Sequence, residues 1–390
     1  MLTSLALIFL LGLLLGSIFI KLKLPALLGM ILTGIILGPY SLNLLDSSIL
    51  NISSSLRQLA LVIILTRAGL SLNIEDLKKV GRPAILMCFL PATLEILGTV
   101  LIAPKFFNVT IIEAAILGSV LAAVSPAVIV PRMIKLIETK KGTDKSIPQL
   151  VMAGASVDDV FVIVLFTSFL NFEKGGNFSA TTLLQVPFAI LTGIIIGYLI
   201  SLILIKFFKT FHMRDSIKIV ILLSVAFLLL ELEIHLSRFI PFSALISIMS
   251  IGIGILKNYE TLAKRISSKF SKLWVAAEIL LFVLVGATVN IKYALSFGTT
   301  AIIFILLVLI FRMFGVFLCL IGSNLNKKEK LFTIFAYTPK ATVQAAIGGI
   351  PLVMGLNCGN LVLTIAVLAI LITAPLGALA IDNTYKKFLN

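Results

Sequence analysis

The sequence predicts an all-α membrane protein that crosses the bilayer many times. Composition is the first reason: 59% of the 390 residues are hydrophobic and 13% are charged, with a mean hydropathy of +1.16. Soluble globular chains carry roughly 25% charged residues, and a soluble fold of this length could not bury so much apolar surface. The second reason is length. Nearly the whole chain divides into apolar runs as long as a helix needs to cross the hydrocarbon layer. In lipid only helices and closed barrels satisfy their own backbone, and these runs are too long and too uniformly apolar for barrel strands.

Thirteen spans are expected, over residues 2–20, 25–39, 56–72, 83–103, 112–130, 149–170, 183–206, 217–236, 240–256, 273–290, 299–322, 331–349 and 359–380. The first run has no basic segment before it and no small-residue cleavage site after it, so it reads as a span and not a signal peptide. The longest polar stretches, 131–148 and 257–272, are expected to be cytoplasmic loops. Neither is long enough for a soluble domain, so residues 1–390 are expected to form one transporter domain.

Lys and Arg set the orientation. The loops after odd-numbered spans, with the C-terminus, hold 24 of these residues. The other side holds 5, namely Arg57, Lys105, Lys174, Arg238 and Lys292, and Arg67, Arg312 and Lys340 fall inside spans. The basic side is therefore expected in the cytoplasm, with the N-terminus outside and the C-terminus inside, in the plasma membrane of the cell. The net charge of +15 then serves orientation and contact with anionic lipid. It is not a nucleic-acid footprint, and no soluble partner is evident.

The chain matches itself at a constant offset. Gly69 to Ile74 at the end of span 3 corresponds to Gly286 to Ile291 at the end of span 10, 217 residues later. Pro25 and Pro241 open spans 2 and 9 at an offset of 216, and Glu95 in span 4 lies 217 residues before Arg312 in span 11. Each pair is seven spans apart, an odd number, so the copies have opposite topology. An inverted repeat over about 2–170 and 217–380 is the plan of many secondary transporters.

Spans 5 and 12 contain proline inside the apolar run: Pro126 within Ala122 to Pro131, and Pro339 within Tyr337 to Gly349. Proline removes a donor and clashes with the preceding turn. Broken helices survive at membrane depth where they line a cavity. A plain kink is the simpler reading of either proline alone. Two at repeat-related places, flanked by Ser125, Thr338, Lys340, Thr342 and Gln344, favour a crossed pair of discontinuous helices whose ends make a polar, ion-accommodating centre.

Span 6 carries two adjacent carboxylates, Asp158 and Asp159, after Ser156. A charged Asp at the bilayer centre costs about 2.5–3.5 kcal/mol on insertion scales, so each needs a partner or a purpose. Burial and a neighbouring carboxylate both favour the protonated form. A dehydrated cation needs oxygen ligands and competes with that proton, which is sufficient physics for antiport. Glu95 and Arg312 could form a buried ion pair where repeat-related helices meet; Asp158 is the alternative partner of Arg312. Lys340 could neutralise the carbonyl ends of a broken helix. Arg67 reads as snorkelling to the interface, and Glu231 and Glu233 as a solvated span end.

Other chemistries find no support. No phosphate-binding Gly-rich loop with its Lys is present, which excludes an ATP-driven pump of that type. Cys88, Cys319 and Cys358 give no disulfide framework. His212 and His235 have no second ligand at metal spacing. No cofactor is expected and no nucleophile–base pair marks an enzyme.

At Val157-Asp158-Asp159, Ser125-Pro126, Arg312 to Gly315 and Thr338 to Ala346, the sequence resembles the monovalent cation:proton antiporter superfamily, in particular its paired-aspartate branch and its animal sodium/hydrogen antiporter relatives. The resemblance covers essentially the whole chain. It implies a homodimer with elevator-like alternating access, a core ion-transport part in spans 4–6 (83–170) and 11–13 (299–380), and a dimerisation scaffold in the rest. It implies that Asp159 is the principal carboxylate for a transported Na⁺ or Li⁺ and Asp158 its auxiliary, with Ser125 and Ser156 as further oxygen ligands. Glu95, Arg312, Lys340, Thr338, Gln344, Pro126 and Pro339 belong to the transport core. Paired-aspartate members often carry lysine where Arg312 stands, so this chain is expected to exchange one cation for one proton. Competing readings are a sodium-coupled symporter for an organic anion, a K⁺/H⁺ antiporter and a potassium-efflux protein.

Overall fold

The computed structural model describes residues 1–71, 81–173, 180–236 and 242–389, without the side chains of 156, 160, 180–187, 190, 234 and 236. The latter part of the 69–74 repeat motif, Pro241 and the side chain of Ser156 lie outside the described residues. Among those described, every regular element is a helix. In chain order they are α1 (Leu2–Lys21), α2 (Ala26–Leu37), α3 (Ser47–Asn51), α4 (Ser53–Ser71), α5 (Arg82–Met87), α6 (Leu90–Phe107), α7 (Ile111–Leu121), α8 (Pro126–Glu138), α9 (Ile147–Glu173), α10 (Ala180–Thr210), α11 (Asp215–Leu236), α12 (Ala244–Asn258), α13 (Glu260–Ala287), α14 (Ile291–Cys319), α15 (Lys327–Ala336), α16 (Thr342–Ile347), α17 (Ile350–Val353) and α18 (Gly359–Phe388). Among the described residues, eight helical stretches are long and apolar enough to cross a membrane, and three more are apolar but shorter.

Two expectations need correction. The stretches 131–148 and 257–272 are not plain loops, because α8 continues to Glu138, α9 begins at Ile147, and α13 begins at Glu260. Averaged hydropathy hides the cause. Between 260 and 272 the buried Leu262, Ala263, Ile266 and Phe270 recur at helical spacing among Lys264, Arg265, Lys269 and Lys272. That is an amphipathic helix continuing a span beyond the hydrocarbon. Expected span 4 is also interrupted, with α5 and α6 separated at Cys88 and Phe89.

The chain divides into two compact units. One comprises Met1–Arg57, Ile74–Lys174 and Ile279–Asn390; the other comprises Gln58–Asn73 and Gly175–Glu278. In the second, α10 and α12 meet through small residues, where Ser247 Oγ donates to the Gly193 carbonyl at 2.9 Å and Ser250 Oγ to the Ile194 carbonyl at 2.9 Å. Lipid gives apolar side chains no reason to leave it, so close backbone approach and interhelical hydrogen bonds hold such helices together.

Repeat-related contacts recur in each unit. In the first, α2 lies so close to the end of α13 that a Cβ on Gly34 would collide with the Val283 carbonyl, and one on Gly286 with the Ile31 carbonyl. In the second, a Cβ on Gly69 would collide with the Met249 carbonyl, and Gly252 lies against the Gly69 backbone. These contacts map onto one another at offsets of 217 and 218 residues. Two capping boxes repeat as well. Thr110 and Glu113 start α7, and Asn326 and Glu329 start α15, each pair satisfying two orphan N–H groups at the helix N-terminus.

Both helices that follow those boxes stop inside the apolar run. α7 ends at Leu121 and α8 begins at Pro126, leaving Ala123–Ser125 without helix. α15 ends at Ala336 and α16 begins at Thr342, leaving 338–341 without helix. The two interruptions touch, because the Ser125 N–H donates to the Pro339 carbonyl at 2.8 Å.

Gly34→Val is expected to lower the unfolding temperature in detergent markedly and to broaden the size-exclusion peak, because the α2–α13 backbones must separate. Gly16→Ala should leave both unchanged, since its Cβ would meet its nearest neighbours at 3.5 Å, ordinary van der Waals contact. Equal loss in the two variants would show that the close approach at Gly34 does not hold these helices.

Candidate functional site

The interruptions in α7–α8 and α15–α16 expose carbonyls that a continuous helix would use, and two buried cations take them. Arg312 projects from α14 and is fully buried. Its Nη1 donates to the Ala122 carbonyl at the end of α7, and its Nε donates to the Tyr337 carbonyl past the end of α15 at 2.9 Å. Lys340, 1% exposed, donates from Nζ to the Leu121 carbonyl at 2.5 Å. Gln344 adds neutral donors, its Nε2 reaching the Leu121 carbonyl at 3.2 Å and the Ala123 carbonyl at 2.8 Å. The carbonyl end of a helix carries partial negative charge, so cations are favoured there.

Carboxylates balance these cations. Glu95 on α6 and Asp158 on α9 are both fully buried. Arg312 Nη1 lies 3.1 Å from Glu95 Oε2, and Arg312 Nη2 lies 2.7 Å from Asp158 Oδ2. The two partners weighed for Arg312 from sequence are therefore engaged together. Glu95 also holds Lys340, with 2.6 Å between Oε1 and Nζ. Asp158 Oδ2 accepts the Val124 N–H at 3.0 Å, which fixes the segment between α7 and α8 against α9. A buried ion pair survives when good geometry and extra hydrogen bonds replace the lost water, and this network has both.

Several oxygens on these elements remain unpaired. Ser125 Oγ, Asp158 Oδ1, Asp159 Oδ1, Thr342 Oγ1 and Gln344 Oε1 are buried and have no hydrogen-bond partner. Asp159 is 7% exposed and has no basic partner within ion-pairing distance among the described residues. Buried polar groups normally find partners, so a set of orphaned acceptors calls for an explanation. Formal charge points the same way. Glu95, Asp158 and Asp159 carry three negative charges if ionised, while Arg312 and Lys340 carry two positive ones. The excess belongs to Asp159, and a proton or a monovalent cation would neutralise it.

The other residues singled out from sequence fall as follows. Pro126 opens α8 and lies in its first turn, where its missing N–H costs nothing. Pro339 presents its carbonyl to Ser125. Thr338 donates to the Phe335 carbonyl at 2.8 Å. Among the described residues, no group of three His, Cys, Asp or Glu side chains could hold a metal ion.

Sequence reasoning assigned no role to Tyr337 and Thr373. Tyr337 is fully buried, presents its ring face to the Arg312 guanidinium at 5.0 Å and donates its hydroxyl to the Met87 carbonyl at 2.9 Å, at the interruption between α5 and α6. Thr373 Oγ1 accepts the Lys340 N–H at 3.0 Å. The only signal available for Tyr337 was a phenol inside an apolar run, which usually finds a partner when buried.

Helices long and apolar enough to cross a bilayer, with a balanced charge network buried at interrupted helices, define a polytopic membrane transporter of ions. The chain belongs to the sodium/hydrogen exchanger family: the model of its transmembrane part matches residues 5–386. Human sodium/hydrogen exchanger 9B2 is 33% identical over 396 residues, covering 94% of this chain and 70% of the human protein. The mouse 9B2 protein is 34% identical over 376 residues, covering 92% of this chain and 67% of its own length. Human sodium/hydrogen exchanger 9B1 is 31% identical, covering 94% of this chain and 73% of its own length. The solved structure of the sodium proton antiporter MjNhaP1 from Methanocaldococcus jannaschii has the same fold, with a TM-score of 0.85 at 22% identity over 99% of this chain and 98% of that one.

Glu95 and Arg312 are expected to stabilise the protein as a unit. Removing either leaves a buried charge short of its partner, Lys340 in Glu95→Gln and Asp158 in Arg312→Gln, at a cost of roughly 3–5 kcal/mol. Glu95→Gln and Arg312→Gln should each lower the unfolding temperature in detergent, and the double variant should recover part of the loss. Recovery will be incomplete, because Asp158 and Lys340 each keep an unpaired charge. Strictly additive losses would mean the two side chains do not interact.

Proposed function

We propose that the protein exchanges Na⁺ or Li⁺ for H⁺, with cation and proton competing for the Asp159 carboxylate. The observation that carries this reading is the charge balance of the buried cluster. Arg312 and Lys340 are committed to Glu95 and Asp158, which leaves Asp159 as the carboxylate without a counter-charge. Its Oδ1 is buried and unpartnered, as are Asp158 Oδ1 on the same helix and Ser125 Oγ at the α7–α8 interruption. A dehydrated Na⁺ needs several oxygen ligands, and the oxygens of Asp159, Asp158 and Ser125 are the proposed set; Ser156 is proposed with them from sequence. Family membership and the names of the 9B1 and 9B2 relatives support sodium as the cation.

The proposed cycle is elevator-like. Spans 4–6 (83–170) and 11–13 (299–380) would move as the core ion-transport part against a dimerisation scaffold formed by the other spans of a homodimer. The proposed topology has thirteen spans, with inverted repeats over about 2–170 and 217–380 and the two discontinuous helices crossing at the cluster. The repeated capping boxes, the repeated glycine contacts and the Ser125–Pro339 hydrogen bond support that topology. The excess of Lys and Arg on one side supports a cytoplasmic C-terminus and an external N-terminus; the plasma membrane is proposed with them from sequence. An organic-anion symporter would favour neutral oxygens for Na⁺, which the paired aspartates argue against.

Asp159→Asn is expected to abolish Na⁺-driven proton movement in proteoliposomes loaded with a pH-sensitive dye, while the protein still elutes as a folded species. Near-normal exchange in that variant would sink the assignment. Asp158→Asn should impair exchange and also lower the unfolding temperature, since Asp158 holds both Arg312 and the Val124 N–H.

Exchange is proposed to be one-for-one and electroneutral. A guanidinium keeps its proton at physiological pH, and Lys340 is held by Glu95 and not by either aspartate. A single proton on Asp159 then balances a single cation. With equal Na⁺ and equal pH on both sides, a potential set by K⁺ and valinomycin should drive no net proton movement through the protein. Protein-dependent proton flux that reverses with the sign of the potential would show that a second group titrates in the cycle.

A further inference from the structure

We propose that Arg57 and Ser53, at the N-terminal end of α4, bind a small monovalent anion of about chloride's size. Sequence reasoning counted Arg57 with the charges of the outer side, although expected span 3 (56–72) includes it. In the structure it lies within α4 and is only 3% exposed, as is Ser53 one turn before it. Residues four apart share a helix face, so the two side chains flank one spot.

Four basic side chains are buried among the described residues: Arg57, Lys218, Arg312 and Lys340. Three of them have a carboxylate within ion-pairing distance, namely Asp215 for Lys218, Glu95 and Asp158 for Arg312, and Glu95 for Lys340. Arg57 has none among the described residues. Its hydrogen bond there is a long one, from Nε to the Ser53 carbonyl at 3.4 Å. Its Nη1 is buried without a partner, and so is Ser53 Oγ.

A guanidinium does not escape by losing its proton. A buried charge is tolerated only when it is paired, so this cation calls for a negative charge that the described side chains do not supply. The site has a built shape. A Cβ on Gly349, in the turn between α16 and α17, would lie 3.1 Å from Arg57 Cζ and Nη2 and closer still to Nη1. The glycine therefore lets the guanidinium, Nη1 foremost, lie against the backbone, where Nη1 finds no acceptor. The N-terminal end of a 19-residue helix adds positive potential at the same place.

Charge and burial select the anion. One monovalent ion offsets one guanidinium, whereas a divalent oxyanion leaves an excess negative charge in an apolar setting. A phosphate still attached to a lipid needs an open path, and both side chains are nearly inaccessible. The bound anion would accept from Arg57 Nη1 and Ser53 Oγ and join the start of α4 to the Gly348–Gly349 turn. It would do so independently of the Asp159 site.

The test uses the purified full-length protein in detergent, unfolded thermally in chloride or gluconate at constant Na⁺ and ionic strength. The unfolding midpoint is expected to rise saturably with chloride and with bromide. A hydrogen bond to a charged group contributes about 1.5–3 kcal/mol, so Ser53→Ala should raise the half-maximal chloride concentration about tenfold or more. Arg57→Gln should abolish the chloride dependence. A wild-type midpoint that is the same in both salts overturns the proposal, as does unchanged chloride dependence in Ser53→Ala. If Arg57→Gln does not fold, Ser53→Ala decides alone, because it removes one hydroxyl from a helix surface. A rise of equal size with inorganic phosphate would also overturn the monovalent assignment and point to an oxyanion, such as a lipid headgroup.

Discussion

Everything at the centre of this protein depends on one fully buried guanidinium. Arg312 reaches two carboxylates from two different helices and two carbonyls from two interrupted ones. A planar fork of five donors can serve four acceptors in different directions, which a single ammonium point charge cannot do in the same way. Tyr337 then covers its face and is itself tied to the Met87 carbonyl. The guanidinium is thus held at its edge by charge and on its face by an aromatic ring.

Chain breaks are costly in lipid because no water satisfies the freed groups. Here the cost is met by the same side chains that balance the buried carboxylates. Leu121, Ala122, Ala123 and Tyr337 offer carbonyls, and Lys340, Gln344 and Arg312 supply the donors. Structural satisfaction and electrostatic balance are therefore one problem with one solution. What that solution leaves over is a small set of unpartnered oxygens and one uncompensated carboxylate, which is the setting a dehydrated monovalent cation requires.

Much of this was legible in the sequence, for a physical reason. Intramembrane charges are expensive, so Glu95, Asp158, Asp159, Arg312 and Lys340 stand out against apolar runs, and prolines there mark breaks. The repeat offset alone pairs Glu95 with Arg312. Less visible was how the pairs are shared. Lys340 and Glu95 carry no common periodicity, and Arg312 could be expected to choose between Glu95 and Asp158 but not to take both. Arg57 was counted with the outer-side charges although expected span 3 (56–72) contains it, and residue type alone does not show that it is buried. The amphipathic start of α13 was missed because its Lys and Arg residues dominate the average. Helix caps at Thr110 and Asn326 were readable from residue type and spacing and went unused.

The hydrogen bond from the Ser125 N–H to the Pro339 carbonyl joins the two interruptions through main-chain atoms alone. Heritable variation acts on side chains, and of the twenty standard residues only proline at position 125 would delete this donor. Replacing Pro339 by another residue leaves its carbonyl in place. The same holds for the carbonyls of Leu121, Ala122 and Ala123, which stay in place under any replacement that fits their buried surroundings. Descendants of this sequence can therefore alter the side chains around the two interruptions, while the main-chain linkage between them is inherited intact. The mechanical joint is shielded from mutation, and the chemistry around it is left open to selection.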